Sequence, residues 1–156
     1  GKVGEIAVRG PFLFDQYVNM PEATAQVVDE DGWYFTDDLA FKDDRGYIHI
    51  TGRKSEMFKS GGENVFPREV EEVLEGHESV LFAAVIGVPD EIFQEVGWAF
   101  IMLQPEKGVT EDELRALCKT KLANYKVPKR FFLRPVLPLL PSGKVNKVAL
   151  RKEIAS

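Results

Sequence analysis

Metal and redox chemistry have little to work with here, because 156 residues include one cysteine and two histidines. Cys118 alone can neither close an internal disulfide nor build a cysteine-rich metal site. His49 and His77 stand isolated, without ligand spacing around them, so no resident metal site is expected. No apolar run approaches the length of a membrane span. Repeats and low-complexity tracts are missing, as is any Gly-rich loop with phosphate-cradling spacing. A basic surplus is lacking too: 20 Lys and Arg against 25 Asp and Glu leave a net charge of −5. That balance argues against a nucleic-acid or anionic-membrane partner. The start, Gly1-Lys-Val-Gly-Glu-Ile, has no signal-peptide character, and the expected location is cytoplasmic. It also lacks an initiator methionine and begins in strand-like sequence, so the chain reads as a fragment of something longer.

The composition, 44% apolar and 29% charged, is that of a soluble globular protein. Its length fits one domain, or a small domain plus a piece of another. Gly4–Arg9 alternates and predicts a strand, and Pro21–Val28 a short helix with Pro at an early position. Trp33–Lys42 and Tyr47–Thr51 predict a hairpin closed by Asp43-Asp-Arg-Gly46. Gly52–Lys59 is polar and basic and reads as a linker, with Ser60–Asn64 as a loop that would have to supply a short first strand. Beyond it come an amphipathic helix from Pro67 and apolar strands over Val80–Val88 and Val96–Leu103. The helix after Thr110 opens on a capping box with Glu113, and its buried stripe of Leu114, Leu117, Cys118 and Leu122 makes Cys118 packing rather than a nucleophile. A strand over Arg130–Arg134 and a helix from Lys147 complete the order. The expected fold class is α+β: a short mixed sheet with helices packed on one face, preceded by strands of a separate unit.

Near the C-terminus, Leu137-Pro-Leu-Leu-Pro-Ser-Gly-Lys-Val-Asn-Lys147 sets Lys144 just past a Ser142-Gly143 turn. A flexible cation there can neutralise a carboxylate or phosphate. Alone this is an ordinary solvated turn. Its company is Gly4-Glu-Ile, Trp33-Tyr-Phe-Thr-Asp-Asp-Leu-Ala40, the stretch Gly52–Glu71, and Leu122-Ala-Asn-Tyr-Lys-Val-Pro128. In this order they resemble the C-terminal third of an acyl-CoA synthetase of the acyl-adenylate-forming superfamily, of the fatty-acid–CoA ligase kind.

The resemblance implies that residues 1–53 are the last strands of a large N-terminal domain and 54–156 a mobile C-terminal domain. It implies ATP, Mg²⁺ and coenzyme A as cofactors or substrates, with a carboxylic acid, fatty in the first instance, as partner. Asp38 would grip the nucleotide ribose, with Arg53 reaching the same hydroxyls. Asp37 stands where the family has glycine, and restoring glycine is expected to be tolerated. Ser55 falls at the hinge, where the family carries Asp or Lys. Gly61 and Gly62 match a loop lining the pantetheine tunnel, and Lys144 the lysine that bridges substrate carboxylate and α-phosphate. Lys59, Lys126, Lys129 and Arg130 could add charge toward coenzyme A phosphates, while Lys147 is expected to matter little. Three rivals stay open: an adenylation domain loading a carrier-protein thiol, a luciferase-type oxygenase, and a non-catalytic α+β binding module. Unpaired strands in the first part could also support a homodimer.

Overall fold

Alternating sequence at the start makes β1 (Gly4–Val8), and the predicted hairpin makes β2 (Tyr34–Lys42) and β3 (Ile48–Arg53). In this computed structural model, which describes residues 1–155, the three form an antiparallel sheet in the order β1-β2-β3. The Asp43 carboxylate closes the β2–β3 turn by accepting the backbone N–H of Arg45 and of Tyr47, each at 2.9 Å. A short helix, α1 (Pro21–Val27), opens on the predicted proline. These elements lie in one compact unit, Gly1–Ser55. Leu39 and Ala40 are its buried apolar side chains, while Phe35, Tyr47, Ile48 and Ile50 face out.

The second unit starts at Glu56. It contains β4 (Phe58–Ser60), β5 (Glu63–Val65), α2 (Pro67–Glu75), β6 (Val80–Asp90) and β7 (Gln94–Leu103). After these come α3 (Glu111–Lys121), a 3-10 turn at Asn124–Lys126, β8 (Arg130–Arg134) and α4 (Lys147–Ala155). The sheet runs β5-β4-β7-β6, with β8 pairing parallel to β7 and the other pairs antiparallel. This is a mixed α+β sheet with helices packed on it.

Two local expectations are corrected. Gly52–Lys59 is no linker, since Gly52 and Arg53 finish β3 and Phe58 opens β4. The reason is burial: Phe58 and Val65, cross-strand partners, are 3% and 0% exposed among polar neighbours that hide the period of two. Gly87 accommodates the Phe58 ring, for a Cβ there would sit 2.5 Å from the Phe58 Cβ. Nor do the helices share one face. Alternate residues of β6 feed two cores: Ala83 and Val85 pack with α2 and α3 through Val70, Leu74, Leu114 and Cys118. Ala84, Ile86 and Val88 pack instead with Phe100, Leu137 and Leu150, the last from α4. A strand buried on both faces reads as an unbroken apolar run, as Val80–Val88 does.

Candidate functional site

Asp38 and Arg53 are cross-strand partners on β2 and β3, so the ladder sets their side chains next to each other. Arg53 Nε lies 3.4 Å from Asp38 Oδ1, and the side chains keep 58% and 31% of their exposure. A carboxylate acceptor beside a guanidinium fork suits vicinal hydroxyls, which both donate and accept.

Asp37 explains its own position. Its φ of +65° is the left-handed region, where glycine is free of strain and Asp is among the better-tolerated alternatives. Its carboxylate turns to Ser55, accepting the backbone N–H at 3.0 Å through Oδ1 and the hydroxyl at 2.5 Å through Oδ2. Lys54 completes the arrangement, donating its N–H to the Asp37 carbonyl at 2.8 Å and its Nζ to Glu5 at 2.7 Å. Two residues that depart from the family pattern, Asp37 and Ser55, are therefore bonded to each other.

In the second unit, Gly61 and Gly62 form the two-residue tip of the β4–β5 hairpin, inside the Ser60–Glu63 pair. Their φ values of +60° and +87° are the two positive dihedrals of a type I′ connection, which Gly-Gly adopts without strain. Gly61 N–H donates to the Phe93 carbonyl at 2.9 Å, beside a cleft of about 330 Å³ lined by Ser60, Phe93, Val96, Tyr125, Val127 and Lys129.

Lys144 follows a tight reversal. Gly143 N–H donates to the Leu140 carbonyl and Leu140 N–H to the Lys144 carbonyl, both at 2.8 Å, while Leu139 bridges Val145. Gly143 takes φ +81°, the αL residue that closes a three-residue loop. Lys144 itself is exposed, and its Nζ has no ion-pair partner among the described residues.

The other cations divide. Lys126 bonds both carboxylate oxygens of Glu69 at 2.7 Å and is thereby committed to the fold. Lys129 lies over Phe93 at 4.6 Å and Arg130 over Trp98 at 5.0 Å, each with its charge still exposed. Lys147 opens the last helix as expected, and its Nζ pairs with Glu56 and lies 2.7 Å from Glu71 Oε1. Burial pushes the Glu71 carboxyl above its ordinary range, and Lys147 partly offsets that. The sequence carried one signal for this neighbourhood, an asparagine before an apolar helix. Asn146 Oδ1 accepts the Ala149 N–H at 3.0 Å, as an N-cap does. Among the described residues there is no group of three or more His, Cys, Asp or Glu that could hold a metal ion. No helix among these residues is long and apolar enough to cross a membrane.

Residues 69–144 match the model of the AMP-binding enzyme C-terminal domain. Over 153 residues the chain is 48% identical to 3-[(3aS,4S,7aS)-7a-methyl-1,5-dioxo-octahydro-1H-inden-4-yl]propanoyl:CoA ligase of Rhodococcus jostii, covering 98% of this chain and 30% of that protein. It is 39% identical, over the same shares, to the long-chain-fatty-acid–CoA ligase FadD13 of Mycobacterium tuberculosis. An ATP-bound crystal structure of MatB from Rhodopseudomonas palustris superposes with a TM-score of 0.87 at 36% identity, over 98% of this chain and 30% of that one. The chain thus spans about three tenths of the length of the relatives it matches. It belongs to the adenylate-forming acid ligases, of which it is a C-terminal portion carrying the AMP-binding enzyme C-terminal domain.

Proposed function

We propose that this chain is the C-terminal part of an ATP-dependent acid–CoA ligase acting in two half-reactions. In the first, a carboxylate oxygen attacks the α-phosphorus of ATP, and pyrophosphate leaves from an acyl-adenylate. In the second, the coenzyme A thiolate attacks the acyl carbon, and AMP leaves from the thioester. Asp38 and Arg53 hold the ribose hydroxyls. Lys144 neutralises the approaching carboxylate and α-phosphate, two anions that otherwise repel. Ser55 is the residue about which the second unit, residues 54–156 in this reading, changes orientation. After that change the Gly61–Gly62 tip lines the passage for the pantetheine arm, where missing side chains leave room. Rotation lets one site serve two transition states. Lys129 and Arg130 keep charge available for coenzyme A phosphates. The acid is apolar, in the first place a fatty acid. Two relatives, one a fused-ring propanoate ligase and one a long-chain fatty-acid ligase, support that class.

The observation that carries the reading is the state of Lys144: an exposed cation, unpaired among the described residues, on a turn whose backbone is fixed by three local contacts. In the full-length enzyme, Lys144→Ala is expected to slow adenylate formation by about 10²–10³ while sparing thioester formation from supplied acyl-adenylate. Pyrophosphate release and thioester formation, assayed separately, decide it. Equal loss in both half-reactions would mean that Lys144 does not serve adenylation in particular.

A further inference from the structure

We infer that Lys147 is a positioning residue for Lys144, clamped between Glu56 and the buried Glu71 so that the lysine turn stands on a fixed base. The inference rests on the proposed role of Lys144 in adenylate formation. Lys147 opens α4, three residues beyond Lys144. Its side chain is 16% exposed, its Nζ donates to Glu56 Oε2, and Glu71 Oε1 lies 2.7 Å away. Glu71, 4% exposed, is itself fixed, since the same oxygen accepts the Val85 N–H of β6 at 2.8 Å.

A cation this buried does not wander, because leaving Glu71 strands an uncompensated charge away from water, and the partly exposed Glu56 adds a second anchor. The segment before it is drawn in by the same anchor. Asn146 N–H donates to the Pro138 carbonyl at 2.7 Å, and the Asn146 side chain caps α4. Leu150, fully buried, holds the next turn of the helix against the sheet. The exit of the Lys144 turn is therefore tied to α2 and β6 through Lys147, and its entry to that exit through Asn146. Glu56, the other carboxylate, is the first residue of this unit. The clamp thus connects the start of the unit with the base of the lysine turn. A flexible side chain such as lysine reaches a transition state productively only if its Cα is held, and a misplacement of about 1 Å can cost 10²-fold in rate.

The test uses the full-length enzyme with Lys147→Ala, Lys147→Arg, Glu56→Gln and Lys144→Ala side by side. Lys147→Ala is expected to lower kcat for adenylate formation about tenfold to a hundredfold. KM for ATP and thioester formation from supplied acyl-adenylate should hold. Lys147→Arg, which keeps the charge, should recover most of the loss. Amide exchange over residues 139–146 should quicken in Lys147→Ala and not in Lys147→Arg. If Lys147→Ala fails to fold, Glu56→Gln carries the test, since Glu71 still holds the ammonium there. In that variant adenylation should fall while thioester formation stays. A folded variant that loses both half-reactions equally overturns the inference, because a purely structural lysine does that. Adenylation that needs Lys144 but not Lys147 overturns the inference alone. Adenylation that survives Lys144→Ala overturns the role of Lys144 and the inference with it.

Discussion

Asp37 is the residue at which two opposed effects can be weighed. Replacing it by glycine relieves a left-handed backbone, worth of order 1 kcal/mol. It also deletes both bonds to Ser55, each roughly 1 kcal/mol or less at a partly exposed site, and adds glycine's own conformational freedom, about 0.5–1 kcal/mol. The losses outweigh the gain, so glycine here is no simple restoration of a family pattern. Asp37→Gly should lower global stability by no more than about 2 kcal/mol and expose the Ser55 N–H to exchange. Asp37→Asn, which keeps an acceptor for that N–H, should protect it better. Amide exchange read at Ser55 checks this, and unchanged protection in Asp37→Gly would show that the carboxylate does not hold the segment. The left-handed demand itself was legible only through the resemblance, since no turn signal in Thr36-Asp-Asp-Leu39 announces it. The bond to Ser55, which spans 18 residues, could not be read from spacing at all.

Among the elements, α2 and α4 meet electrostatically at Glu71. A carboxyl whose folded pKa lies above its unfolded value of ~4.3 binds its proton more tightly when folded. Its stabilising contribution is fully present below that value and fades as pH rises through the raised one. Glu71 is in this class because burial outweighs the opposing pull of Lys147 and the Val85 N–H, with the Glu56 charge adding to the rise. Removing the ammonium with Lys147→Ala should raise Glu71 further. The stability lost in that variant should therefore be greater at about pH 8 than at about pH 5, where a neutral Glu71 is tolerated in the core. Urea unfolding of the variant and the parent at both pH values measures the difference, and an equal loss at both would mean that Glu71 ionises freely without its partner. Elements with local signals were legible: α3 begins where its capping box says, with Thr110 Oγ1 accepting Glu113 N–H at 3.2 Å and Glu113 reaching back to the Thr110 N–H at 2.8 Å. The β4–β5 hairpin was not read, although Gly61-Gly62 is a hairpin signal, because strands of three residues carry too little alternation. The pairing of Lys147 escaped for a different reason, its partner Glu56 being 91 residues away in sequence.

At the scale of the whole molecule, the proposed chemistry requires parts this chain does not contain. No phosphate-cradling glycine loop is present in its sequence, and the relatives it matches are more than three times as long. The 156-residue chain alone is expected to form no acyl-CoA from acid, ATP and coenzyme A; thioester production above background in a purified sample would overturn the division of roles. The outward-facing Phe35, Ile48 and Ile50 of the first unit are in keeping with strands that lack their neighbours. The second unit carries a risk of its own, set by the order in which its parts are made. β6 is covered on one side by α2 and α3, close to it in the chain, but on the other by later parts, Leu137 and then α4, the last element among the described residues. During synthesis one side of Leu81-Phe-Ala-Ala-Val-Ile-Gly-Val88, a stretch without charge or proline, waits for its full cover until Leu137 and then Leu150 have been added. Such a segment is prone to pair with its own kind. A chain cut short before α4 would thus lose more than a helix: it would leave a sticky strand half shielded, with Leu150 gone from that face, and the first sign would be aggregation rather than inactivity.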